Sequence, residues 1–103
     1  MPGRYVLIGQ TPVIEPDLEK WAQWFASENR VVAQTEVPGG VVSTVFLGLD
    51  HNFFDKGPPL LFETMTFMDG DSNDCWRTAT WLEAEEMHAT VVAACELNAR
   101  NRK

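Results

Sequence analysis

Leu60–Met68 reads LLFETMTFM, and the period of this stretch decides the fold. Its even positions are Leu60, Phe62, Thr64, Thr66 and Met68; its odd positions are Leu61, Glu63, Met65 and Phe67. A two-residue alternation in a run rich in β-branched and aromatic side chains is the signature of a strand whose faces meet different surroundings. Upstream, Val41–Leu49 is a second long run rich in β-branched residues. Before it, Arg30–Val37 alternates, with Val31, Ala33, Thr35 and Val37 on one side and Arg30, Gln34 and Glu36 on the other. Pro38-Gly39-Gly40 joins these two runs as a turn, so they are expected to form a hairpin. The loop Asp50–Pro59, DHNFFDKGPP, separates the hairpin from Leu60, and the polar turn Asp69–Asp74, DGDSND, leads to a short edge strand expected over Cys75–Ala79.

Further out, the period changes to that of a helix. Leu18, Trp21, Ala22 and Phe25 recur at the spacing of one helical face. Pro16, Asp17 and Glu19 suit its start, where negative charge meets the positive end of the helix dipole. This helix is expected to end near Glu28 or Asn29. Near the C-terminus, Thr80 and Glu83 have the T-x-x-E spacing of a capping box. Ala84, Met87, His88, Val91, Ala94 and Cys95 then share one face, with Glu83, Glu85, Glu86 and Glu96 away from it. Residues 97–103 are expected to fray. At the other end, Tyr5–Ile8 reads as a first strand, Gly9-Gln10-Thr11-Pro12 as a break and Val13-Ile14 as a second short extended piece.

The order is β-α-β-β-β-(β)-α over a single domain, residues 1–103. It predicts an α+β fold: a two-layer sandwich in which two helices cover one face of a mostly antiparallel sheet of four to five strands.

A chain of 103 residues can bury a core without disulfide or metal staples, and its 45% hydrophobic and 22% charged content is that of a globular protein. The net charge of −7 argues against direct nucleic-acid binding, which needs a basic surface, and against docking on an anionic membrane. No apolar run approaches a membrane span, and no N-terminal segment reads as a signal peptide. Cys75 and Cys95 have no metal-ligand or CxxC spacing, so both thiols are expected to be free in a reducing compartment.

Six residues stand out as candidate binding residues. Glu63 shares its row with large apolar side chains, where a carboxylate must be paired, hydrogen-bonded or protonated. It serves either a ligand or an ion pair with Arg30 or Arg77. His51 and Asp50 leave a strand at the start of a loop, a common place for a site and equally for a loop anchor. His88 lies within an apolar helical stripe, which favours a hydrogen-bonded core histidine. Phe53 and Phe54 stand between polar residues in the same loop, either as anchors for a protein partner or as plugs for the sheet end. Signatures of nucleophilic catalysis, phosphate loops and local metal motifs such as HExxH are absent from the sequence, and no cofactor is expected.

Three strings, VSTVFLGLDH from Val42 to His51, GPPLLFETM from Gly57 to Met65 and ATWLEAEEMH from Ala79 to His88, resemble a widespread set of small proteins of tailed-phage genomes and prophages. VAQT, from Val32 to Thr35, fits the same pattern. The resemblance spans most of the chain and implies an accessory phage protein expressed in the host bacterial cytoplasm, without naming an activity. In that set the helical string resembles TWEEAExGH, and Met87 stands where Gly would, which speaks against close approach of a ligand to the helix there.

The leading expectation is therefore a non-catalytic phage or prophage accessory protein that binds a protein partner, as an inhibitor of a host or anti-phage defence system. The first rival is a metal-dependent or acid/base enzyme built on Asp50, His51, Glu63 and His88. The second is a binder of a small molecule such as a nucleotide signal, with Arg30, Lys56 or Arg77 at its pocket. Self-association stays open, because sheet edges and an uncovered face are often closed by a homodimer.

Overall fold

The computed structural model describes residues 3–54, 56–70 and 73–101. The alternating stretch forms strand β5 (Phe62–Met68), which pairs antiparallel with β4 (Gly40–Phe46) from Gly40↔Met68 to Phe46↔Phe62. With β3 (Val31–Val37) and β6 (Cys75–Thr78) these strands make a four-stranded antiparallel sheet in the order β3-β4-β5-β6. The fold is α+β, as the sequence predicts.

The N-terminal strand β1 (Tyr5–Ile8) lies outside this sheet. It pairs with β2 (Thr11–Ile14) in a separate two-stranded sheet. Thr11 and Pro12, expected within a break, are strand residues opposite Ile8 and Leu7. An edge strand tolerates proline, because the missing N–H need not serve a neighbour. Helix α1 (Leu18–Ser27) follows, with Asp17 accepting a hydrogen bond from the Lys20 amide at 3.1 Å as its N-cap.

Gly48 joins the hairpin, α1 and the sheet. Its carbonyl accepts from the Tyr5 amide at 2.8 Å and from Trp21 Nε1 at 3.1 Å. Its φ is +76°, and a Cβ there would stand 3.0 Å from the Phe25 ring, so glycine alone meets both demands.

Helix α2 (Trp81–Asn101) opens on the expected capping box: the Glu83 amide donates to Thr80 Oγ1, and the Thr80 amide donates to Glu83 Oε1, both at 3.1 Å. The helix continues to Asn101, beyond the expected fraying point. Good helix formers (Leu97, Ala99, Arg100) fill the added turn, and Arg100 suits the negative end of the dipole.

Strand pairing places Thr35, Val37, Val42, Thr44, Phe46, Phe62, Thr64, Thr66 and Trp76 on the face that α2 covers. The helix crosses this face diagonally. Its first turns pack Trp81 and Ala84 against Phe46, Leu61 and Phe62, and its later turns pack Val91 and Cys95 against Val37 and Val42. A diagonal crossing leaves two corners of a sheet bare. At the β3–β4 corner, Trp24 of α1 meets Phe46 edge-on at 5.7 Å, and Tyr5 and Leu7 of β1 join the same cluster. At the opposite corner, where β5 ends and β6 begins, no second element covers the sheet among the described residues.

Candidate functional site

Asp50, His51, Phe53 and Phe54 share the loop between β4 and β5. One carboxylate oxygen of Asp50, Oδ1, accepts from the Asn52 amide at 2.8 Å and from the Leu60 amide at 2.9 Å, closing the base of the loop. Asn52 repeats the device further out. Its Nδ2 donates to the carbonyls of Lys56 and Pro58 at 2.8 and 2.9 Å, and its Oδ1 accepts from the Phe54 amide at 3.1 Å. His51 Nδ1 lies 2.9 Å from the Leu49 carbonyl, and the ring is 5.8 Å from that of Phe53. Asp50 and His51 thus act within the loop, leaving Phe53 72% and Phe54 84% exposed at its tip. Asn52, which sequence reading passed over, is the residue that shapes the tip. An Asp and an Asn two residues apart in a loop are a signal for such side-chain-to-backbone turns.

Glu63 lies on the other face of the sheet from α2, in a row with Met65 and Phe67. Leu61, expected in the same row, is instead buried with Phe46 and Phe62, because the strand starts only at Phe62. Glu63 Oε2 accepts from Arg77 Nε at 3.0 Å, one of the two pairings expected. Arg30, the other candidate, stacks over the Phe25 ring at 3.8 Å and donates to the Phe46 carbonyl. Cys75 is exposed beside Glu63. Partial burial, then the hydrogen bond and negative charge of Glu63, push its thiol pKa up against the opposing pull of Arg77, the reverse of what an activated nucleophile needs. Both cysteines are free.

His88 is buried between the two apolar clusters. Its Nδ1 lies 2.8 Å from Thr44 Oγ1, its Nε2 lies 2.8 Å from Thr35 Oγ1, and Thr44 Oγ1 lies 2.7 Å from Thr64 Oγ1. Hydroxyls both donate and accept, so a neutral imidazole is satisfied in either tautomer. The expected core histidine is present, with threonines as partners in place of a carbonyl or an acid.

Burial pushes the His88 pKa below its ordinary 6.5. With the folded value lowered, the unfolded chain binds the proton more readily. The contribution of neutral His88 to stability is therefore full above about 6.5 and is lost as the pH falls from there through the lowered folded value. The urea midpoint is expected to fall between about pH 7 and about pH 5, and His88→Gln, which cannot titrate, should flatten that part of the profile.

Glu63 and His88 thus stand on opposite faces of the sheet, while Asp50 and His51 stand in the loop. Among the described residues no three His, Cys, Asp or Glu side chains gather as a metal-ion site. The loop, the open sheet face and the core layer are three separate places. Residues 71–72 of the polar turn lie outside the described residues.

A feature the sequence did not announce is a cleft of about 530 Å³ at the bare corner of the sheet. Met68, Trp76, Met87, Val91 and Cys95 form much of its wall, with Asp74 the one charged lining residue among the described residues. Arg30, Lys56 and Arg77 are not among the residues that line it. Among the described residues no helix is long and apolar enough to cross a membrane. Comparisons with protein-family models, with curated proteins and with solved structures give no match to this chain.

Proposed function

We propose that this chain is a small non-catalytic accessory protein of tailed-phage or prophage origin that binds a protein partner through the loop between β4 and β5. What supports a binding role is the loop tip: two adjacent aromatic side chains exposed on a segment closed by its own side-chain hydrogen bonds. Aromatic side chains bury large areas at little entropic cost, and a loop already held in shape gives up less freedom on docking. The carboxylates and imidazoles that could have served an enzyme are engaged in anchoring, ion pairing and core packing. The resemblance to phage proteins supplies the setting: the host bacterial cytoplasm, with a host or defence protein as target.

The test is affinity capture from bacterial lysate with the immobilised wild-type chain and with the double variant Phe53→Ala, Phe54→Ala. A specific partner is expected on the wild type and absent from the variant. Both rings are exposed, so the variant should keep its stability to within about 0.5 kcal/mol. Equal capture by both proteins would remove the loop from the interface.

A further inference from the structure

We propose that the cleft at the β5–β6 corner binds a small molecule with an apolar, preferably aromatic, body and a single amine. The diagonal run of α2 leaves two corners of the sheet, and the chain covers one of them with the indole of Trp24 against Phe46. The other keeps a cleft of about 530 Å³, within the range of small-ligand sites. Its walls offer an indole, two thioethers and aliphatic carbon from Trp76, Met68, Met87 and Val91, surfaces that accommodate a ring.

The polar groups choose the head of the ligand. Asp74 is held at the rim twice over: its amide donates to Thr66 Oγ1 at 2.9 Å, and its carbonyl accepts from the Thr66 amide at 3.0 Å. The Thr90 hydroxyl, also lining the cleft, donates to the Glu86 carbonyl at 2.9 Å and so turns acceptor lone pairs to any newcomer. Among the described residues the polar lining is one carboxylate, the Thr66 and Thr90 hydroxyls and the Asn98 amide, with no lysine or arginine, which suits an ammonium and repels a phosphate or carboxylate. The net charge of −7 raises the local concentration of cations around the molecule. This site is independent of the Phe53–Phe54 loop, which lies at the other end of β5.

The test is a two-dimensional amide NMR titration of the full chain with tryptamine, with indole-3-propionate as the probe of opposite charge. Tryptamine is expected to shift the amides of Thr66, Trp76 and Thr90 saturably, and indole-3-propionate to bind about fivefold more weakly or worse. Asp74→Asn should bring the two probes within about twofold of each other. Ala94→Trp, at an exposed helical position lining the cleft, should plug it and abolish saturation, the rest of the spectrum reporting an intact fold. Equal affinity for the two probes, preference for the anion, tryptamine binding that survives the plug, or shifts centred outside the cleft would each overturn the proposal. So would movement of the same amides on dilution alone, which would place a second copy of the chain in the cleft.

Discussion

His88→Ala is expected to lower the free energy of unfolding by about 3 kcal/mol and Tm by on the order of 15 °C, read by urea and thermal denaturation. The imidazole lies on α2 between the residues that build the two apolar clusters, and it is 7% exposed. Removing it leaves a cavity between Ala84 and Val91 on the helix and takes a partner from both Thr35 and Thr44. Thr44 keeps Thr64, but Thr35 has no other side-chain partner among the described residues. Thr35 is half-buried, so its orphaned hydroxyl costs about 1 kcal/mol, the low end for such a group, and the cavity supplies the rest. Adding Thr35→Val to His88→Ala should recover part of the loss, because it removes the hydroxyl left without its partner while Thr44 and Thr64 keep each other. If His88→Ala alone were neutral, the polar layer would have no structural role.

Gly40→Ala is expected to cost about 3 kcal/mol for a different reason. Gly40 begins β4 opposite Met68, and a Cβ on it would lie 2.1 Å from the Phe67 carbonyl oxygen and 2.9 Å from Met68 Cα. Both obstacles are backbone, so no rotamer change relieves them. The strands must part at the start of the central β4–β5 pairing, which is also where the bare corner begins. The measurement is the same denaturation series, joined by exchange of the Asp69 amide, which donates to the Gly39 carbonyl at 2.9 Å. Faster exchange there in Gly40→Ala than in the wild type would show that the ladder opens from that end. Unchanged stability would mean that the strands separate there without cost.

Much of this architecture is legible in local pattern. The alternation in 60–68, the Pro38-Gly39-Gly40 turn and the Thr80–Glu83 capping box each involve residues near one another in sequence, and each appears where its local chemistry directs. The edge of legibility is seen at Glu63. Alternation assigns it to a face but cannot say whether a helix covers that face. The answer came from Arg77, which is brought opposite Glu63 by strand pairing across the β5–β6 turn. Leu61 departs from the alternation because it precedes the first paired residue of the strand.

For the candidate site the division is sharper. His88 shows its place within an apolar stripe, yet its partners come from β3 and β4, more than forty residues away in sequence. The loop aromatics are visible as residues, while their exposure depends on Asp50 and Asn52 closing the loop beneath them. The cleft has no sequence signature at all, since it arises from the angle at which α2 crosses the sheet. Hydrogen-bonding periods, caps and turn chemistry act over a few residues, so one chain segment suffices to set strands, helices and the α+β class. Strand partners, the exile of β1 into its own hairpin, the helix diagonal and the vacant corner come from packing between distant segments, where side-chain volume and shape choose among arrangements that are locally equivalent.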